Sequence, residues 1–342
     1  MSGQDIIARS SDRFVALEPD RQVATLECMA RRTSTAFGIE PASRLTLLGY
    51  RENAVFRLDG ANGDRVALRL HQPGLHTRSE IASEFAFMKR LRSCGLETPR
   101  ERCSMSGESV IEACDPETGE ARYATALEWV DGHVPSSSNM IEAYRQVGAI
   151  AAKIHLAGQD WERPSNFSRW TINADTGFGE TGLWGDYHRV DKLALAQITL
   201  LDRAGDLVLA RLKNFGETSD RFGLIHGDLM LENLLVAERQ VTIIDFDDCG
   251  FGWYLYDLAT ALFAHASSDT YVPLRDAWIE GYRRHRALGH DEIAMIDTFT
   301  MMRVLGLMGW QARFPNHPVT RELGDWMVGH AVAYAAAYVG RS

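Results

Sequence analysis

A bilobal α+β chain, in which a small antiparallel sheet with one packed helix precedes a mainly helical half, is what three features of the sequence predict. Short runs of alternating apolar and polar residues crowd positions 45–70 and 110–130, the period-two signature of half-buried strands. Beyond residue 138 the apolar spacing changes to that of long helices. Between these regions the segment DGHVPSSS, Asp131–Ser138, is rich in Gly, Pro and Ser, as linkers are. The 342 residues fit two domains at roughly 150 residues each, and the expected division is 1–130 and 131–342.

The elements follow in order. Residues 1 to about 43 read as helix in pieces, with Val23, Leu26, Met29 and Ala30 at helical spacing and Pro41 closing the segment. LTLLGY and NAVFRL then read as two strands, and Asn62-Gly63 as the tight turn into a third, RVALRL. In that third strand Val66, Leu68 and Leu70 share one face, while Ala67 and Arg69 share the other. Residues 79–92 place Ile81, Phe85, Met88 and Leu91 on one helical face, and Gly95 with Pro99 stops the helix. VIEAC, the turn DPETG and the strand YATALEWV make a second hairpin. After the linker, Ile141, Tyr144, Val147, Ala151 and Ile154 mark a long buried helix. The remainder reads as helical apart from one short hairpin near residues 224–245.

Composition narrows the function. Hydrophobic residues at 45% and charged residues at 24% are globular usage, with enough apolar material for a sizeable core. Thirty-six Lys and Arg against 46 Asp and Glu leave a net charge of -10, which argues against a nucleic-acid or anionic-membrane partner. Asp5, Arg9, Asp12 and Arg13 break up any signal-peptide core, and the apolar run Ala331–Val339 is half a membrane span. Five cysteines with no C-x-x-C pair read as reduced thiols. A cytoplasmic protein is the expectation. His155 and His188 lack Cys or His partners at metal-ligand spacing, so no zinc site is expected.

The informative stretch is residues 224–261, LIHGDLMLENLLVAERQVTIIDFDDCGFGWYLYDLATA. Leu234–Val236 and Val241–Ile244 flank AERQ and should pair as a hairpin. That pairing sets Asn233, just before the first strand, beside Asp245, just after the second. Two oxygen-bearing side chains at one open end suit a hard divalent cation such as Mg²⁺. Asp228 lies five residues before Asn233, in a turn leaving a strand and aimed at the same space. A carboxylate near such a cation, but not on it, is the arrangement of a base that orients a hydroxyl for phosphoryl transfer.

His226-Gly227-Asp228-Leu229, then Asn233, Asp245 and Asp257-Leu258-Ala259, resemble the phosphotransferase family of aminoglycoside, choline and homoserine kinases. That resemblance implies a protein-kinase-like fold, ATP and Mg²⁺ as cofactors, Asp228 as catalytic base and Asn233 and Asp245 as metal ligands. It also implies that His226 scaffolds the loop and that Asp257 is a structural carboxylate. Upstream, a small Ala67 beside a cation suits a nucleotide base and its phosphates. The family normally carries Lys where this chain has Arg69, which binds phosphate as a planar fork rather than a compact charge. Glu84 resembles the helix glutamate that pairs with that cation, and Glu80, one turn earlier, is the alternative. The turn Gly49–Asn53, including Asn53, sits where the family covers the phosphates, yet it holds a single glycine. Glu128-Trp129-Val130 corresponds to the segment whose backbone groups hydrogen-bond adenine, so Glu128 and Val130 are assigned there.

Only eleven residues separate Asp245 from Asp257, too few for the activation loop and peptide-docking segment of regulated protein kinases. A small-molecule acceptor with a hydroxyl group is the expected partner. Asp247 and Asp248 either hold a substrate ammonium or cap a solvated turn. Trp184 and Trp310, with Trp170 and Trp253, offer faces for an amino-bearing acceptor or belong to the core. Two rival readings remain: a bacterial stress-response Ser/Thr kinase, similar over the same motifs, and a non-catalytic nucleotide-binding module, motivated by Arg69 and the glycine-poor turn.

Overall fold

A computed structural model describes residues 9–40, 44–61, 63–135, 139–191, 193–238 and 240–341. The expected helix stop at Pro41, Asn62 of the tight turn, Ser136–Ser138 of the linker, Arg239 in the hairpin connection and the charged stretch around Asp5 lie outside them. The described residues divide into two compact units. One holds the chain up to Arg92 with Glu97–Gly132 and Arg163–Ser168; the other holds Ser93–Leu96, His133–Glu162 and the chain from Arg169 onward.

In the first unit α1 (Asp12–Val15) starts at Ser11, whose Oγ accepts the Phe14 N–H, and α2 (Pro19–Ser34) opens with proline at its first position, where no intrahelical donor is lost. β1 (Arg44–Tyr50), β2 (Ala54–Asp59) and β3 (Arg65–Leu70) precede α3 (Arg78–Ser93), and β4 (Glu101–Arg102), β5 (Ile111–Cys114) and β6 (Ala121–Glu128) follow it. The strands form one antiparallel sheet in the order β1-β2-β3-β6-β4, with β5 also on β6. Phe56, Leu58, Val66, Leu68 and Leu70 from one face close a core with Leu26, Met29 and Phe37. Each large apolar side chain buried there contributes roughly 1.5–3 kcal/mol. The alternation in β3 therefore turns Ala67 and Arg69 to the opposite face. Thr77 and Glu80 cap α3 reciprocally: Glu80 Oε2 accepts the Thr77 N–H at 2.8 Å, and Thr77 Oγ1 accepts the Glu80 N–H at 3.2 Å.

The second unit runs through α4 (Met140–Gln159), β7 (Thr171–Ile172), α5 (Leu195–Phe215), β8 (Phe222–Ile225), β9 (Leu234–Ala237), β10 (Gln240–Ile243) and β11 (Gly250–Trp253). It ends with α6 (Tyr256–Leu262), α7 (Tyr271–Arg283), α8 (His290–Ala294), α9 (Ile296–Arg313) and α10 (Pro318–Gly340). α4 and α7 cross at backbone contact, since a Cβ on Gly148 would stand 2.0 Å from the Trp278 carbonyl oxygen and one on Gly281 would stand 1.8 Å from that of Arg145. Along α4 Tyr144, Val147, Ala151 and Ile154 are buried, but Ile141 in the first turn faces solvent.

The expected hairpin is present as β9 and β10, in register Leu234↔Ile243. The expectation that the rest of this half is helical is corrected by a second sheet, β7-β11-β8, whose β7–β11 pair is parallel. Its strands are two to four residues long and β11 reads Gly-Phe-Gly-Trp, so no periodicity announces them; pairing and burial from elsewhere in the chain create them.

Candidate active site

The pairing Ile225↔Gly250 between β8 and β11 brings the loop after β8 against the segment leading into β11. Gly227 makes that approach, in a left-handed conformation at φ +82°, and a Cβ there would stand 2.3 Å from the Asp248 carbonyl oxygen. Only glycine satisfies both demands. From this junction the chain runs through Asp228 to Asn233, then through β9 and β10 to Asp245.

Asp257, fully buried at the start of α6, ties this loop down. Its carboxylate accepts the N–H groups of His226 (3.1 Å) and Gly227 (2.8 Å) and the Nε2 of His155 (3.0 Å). Burial alone pushes the Asp257 carboxyl up, but the His155 hydrogen bond, the neighbouring imidazoles and the His226 N–H hold it below the usual carboxylate range. His155 is also fully buried, and desolvation depresses its pKa in spite of Asp257. It is therefore neutral, with Nε2–H donating to Asp257 and Nδ1 accepting from the Tyr282 hydroxyl at 2.8 Å. His226 has a single consistent tautomer too. Its Nε2 meets the Ile244 carbonyl at 3.1 Å and so carries the proton, while Nδ1 accepts the Asp228 N–H at 3.3 Å. One imidazole thus joins the loop of Asp228 to the end of β10.

Asn233 lies beside Ile244, whose N–H donates to the Asn233 carbonyl at 2.9 Å, so the two ends of the hairpin bring Asn233 next to Asp245 in the chain's path. The Asn233 Nδ2 donates to the Asp228 carbonyl (2.8 Å) and to Asp228 Oδ2 (3.2 Å). Its carboxamide is thereby turned with the nitrogen inside the loop, and Oδ1 is the donor atom left for a cation. Asp245 is exposed and holds the left-handed region at φ +62°, a conformation that costs a non-glycine residue on the order of 1–3 kcal/mol and clusters at functional sites. An amide oxygen and a carboxylate are the hard oxygen donors that Mg²⁺ or Ca²⁺ takes, so the residues present fit a divalent cation.

Asp228 Oδ1 accepts the Nη2 of Arg303, from α9, at 2.6 Å, a partner that sequence reading missed. Arg303 is 6% exposed, between the rings of Trp184 (5.8 Å) and Phe263 (5.7 Å). Burial works against its charge, yet Tyr256, Asp228 and Asp248 beside it hold the guanidinium above its ordinary range. Burial also pushes the Tyr256 phenol up to about 12. The available signal was compositional: Arg303 is the one charged residue in FTMMRVLGLMGW, residues 299–310. His155 was legible in the same way, as a lone imidazole on the apolar face of α4.

The other expected residues divide. Asp248 faces Arg303 and Tyr256 electrostatically, while its carbonyl accepts the Trp170 indole N–H at 3.1 Å. The Asp247 carbonyl accepts from Arg169 Nη2, so the turn that carries both residues is anchored through its backbone. Trp184 takes the core alternative: it is 7% exposed and stacks on Tyr256 at 6.3 Å, which closes its faces to an acceptor. Trp310 packs on Phe314 and His317.

Within the first unit Arg69 Nη1 pairs with Glu84 Oε1 at 3.3 Å, with Glu84 almost wholly buried. Glu80 is occupied in the α3 cap, so of the two candidate helix carboxylates Glu84 is the one that meets Arg69. Asn53 Oδ1 accepts the Gln72 N–H at 2.9 Å and braces its turn against the end of β3. The N–H groups of Glu128 and Trp129 donate to the carbonyls of Arg100 and Arg65.

The sequence profile of a phosphotransferase enzyme family matches residues 45–296. The solved structure of a microcompartment-associated aminopropanol kinase is 30% identical to this chain, covers 91% of it and 95% of that chain, and superposes with a TM-score of 0.80. An amicoumacin kinase solved with AMP-PNP and Ca²⁺ shares the fold at 16% identity, over 95% of this chain and 97% of that one, with a TM-score of 0.76. A homoserine kinase of Nitrobacter winogradskyi is 26% identical over 216 residues, 61% of this chain and 60% of that protein.

Proposed function

The chain belongs to the phosphotransferase enzyme family and is a kinase with a hydroxyl acceptor, and from that premise we propose that it moves the γ-phosphoryl group of ATP to a small amino-bearing metabolite. The observation that carries this reading is the convergence of Asp228, Asn233 and Asp245 around one hairpin, braced from beneath by Asp257. Asp228 takes the proton as the acceptor oxygen forms its bond to the γ-phosphorus; the bond to the β,γ-bridging oxygen breaks and ADP leaves. Asn233 and Asp245 would hold Mg²⁺, which when bound neutralises charge between the phosphates.

In the first unit Arg69, steadied by Glu84, is the phosphate-binding cation, and the Glu128–Val130 segment takes the adenine through its backbone. A hydrogen bond to a charged group contributes roughly 1.5–3 kcal/mol. Arg69→Met is therefore expected to raise the KM for ATP about tenfold or more, and Glu84→Gln to follow it. Glu80→Ala, which removes a helix cap worth about 1 kcal/mol, is expected to lower the melting temperature slightly and leave that KM unchanged. Steady-state ATP titrations decide this, and an equal KM effect from Glu80→Ala would remove the assignment of Glu84.

A small acceptor is supported by the stretch from Asp245 to Asp257, which is consumed by β11 and the entry to α6 and leaves no length for a peptide-docking segment. An amino group on it accords with the carboxylates of Asp228 and Asp248 near Arg303. The aminopropanol kinase relative points to the same class. The test is ADP release from Mg-ATP across aminopropanol, ethanolamine, choline, homoserine, hydroxylysine, aminoglycosides, neutral sugars and a generic protein substrate. Turnover is expected with amino alcohols or amino sugars; preference for neutral or anionic alcohols, or for protein, overturns the amino-bearing class. Location in the cytoplasm, without nucleic-acid or membrane partners, belongs to this reading. It accords with the net charge of -10 and with the absence, among the described residues, of any helix long and apolar enough to cross a membrane.

A further inference from the structure

A carboxylate that must meet a hydroxyl in one orientation has a difficulty that its rotamer does not resolve. The last torsion of aspartate joins sp³ to sp² carbon, so its well is broad and the carboxylate plane is left loosely set. Asp228 is gripped at both oxygens: Asn233 Nδ2 donates to Oδ2 at 3.2 Å, and Arg303 Nη2 donates to Oδ1 at 2.6 Å. The second grip is expensive, because a buried guanidinium is tolerated only when paired. α9 presents apolar side chains on either side of Arg303, with Met301, Met302, Val304 and Leu305 all buried, and its packing alone gives no reason for a charge there. The rings of Trp184 and Phe263 flank the guanidinium, holding it in place without competing for its N–H groups.

We propose that Arg303 is a positioning residue for Asp228, fixing the plane of the carboxylate that receives the acceptor proton. This rests on the reading of Asp228 as that base. Misplacing a reacting group by about an ångström lowers turnover by roughly 10²-fold. Arg303→Gln is accordingly expected to lower kcat on the order of 10–100-fold while nucleotide affinity stays within about twofold. Arg303→Lys, which restores a charged donor without the planar fork, recovers part of the loss.

The experiment uses the full chain as wild type, Arg303→Gln, Arg303→Lys, Asp228→Asn and the two Asp228→Asn double variants. ADP release from Mg-ATP is read with aminopropanol or, where that is silent, with water as acceptor; a fluorescent nucleotide titration and a thermal melt accompany it. Because Arg303 acts through Asp228, its substitution is expected to change turnover less than about twofold in the Asp228→Asn background. A folded Arg303→Gln enzyme within about threefold of wild type, or a loss that recurs in full beside Asp228→Asn, overturns the proposal. If Arg303→Gln does not fold, the Arg303→Lys pair decides by the same comparison. Failure of the underlying reading is a separate result, namely wild-type turnover by Asp228→Asn alone.

Discussion

Asp228→Asn is expected to lower turnover on the order of 10³-fold, within the range that a positioned base contributes, while ATP affinity stays near that of the wild type. The asparagine keeps an oxygen for Arg303 Nη2 but gives up the negative charge and turns an amide N–H toward Asn233, so the capacity to take the proton is lost together with a smaller part of the stability than alanine removes. Asp228→Ala is a different experiment. It leaves Arg303 buried without its closest partner, and removing one member of a buried pair costs about 3–5 kcal/mol. Comparing the two variants by ADP release and thermal melts therefore separates chemistry from stability. Undiminished turnover in a folded Asp228→Asn enzyme would remove Asp228 from the reaction.

The second large effect is expected at Asp257. Asp257→Ala strips the partner from two backbone N–H groups and from His155 at once, all in a fully buried place. Orphaned buried donors cost about 1–3 kcal/mol each and loss of a buried charged partner about 3–5 kcal/mol. A loss of several kcal/mol in denaturant unfolding is the expected outcome, with turnover falling alongside because the loop of Asp228 loses its floor. A stability change below about 1 kcal/mol would show that the loop is held by other contacts.

The same network sets a pH dependence. His155 has a depressed pKa in the folded chain, so its contribution is fully present above the unfolded value of about 6.5 and is lost as pH falls through the lower folded value. Asp257 is also depressed; its contribution is present above the unfolded carboxylate value of about 3.9 and is lost on further acidification. Stability should thus begin to weaken below about pH 6.5, before any carboxylate titrates. Between about pH 6.5 and 5.5 His155 contributes a share of the stability that is lost. His155→Gln should remove that share from the difference between unfolding curves at the two pH values, and an unchanged difference would show that His155 is not its source.

What the sequence alone determined was local chemistry at fixed spacing. The period-two runs set the sheet of the first unit and the face on which Arg69 lies, because side-chain alternation is a property of the strand itself. The hairpin of β9 and β10 followed from two apolar runs about a short connection, and it carried Asn233 and Asp245 to one end. The family motif pointed to His226, Asp228 and Asp257, and hydrogen bonds join His226 to both carboxylate-bearing residues. What only the tertiary structure decided involves residues distant in sequence. Glu84 rather than Glu80 meets Arg69, since Glu80 is drawn into the cap of its own helix by Thr77. Trp184 belongs to the core, because Tyr256 and Arg303 cover its faces. The sheet β7-β11-β8 arises from strands too short to have a period. His155, 102 residues before Asp257, and Arg303, 75 residues beyond Asp228, are joined to the site by packing. A buried charge is stable only where its partner arrives, and that arrival is fixed when helices and loops from separate stretches of chain close on one another.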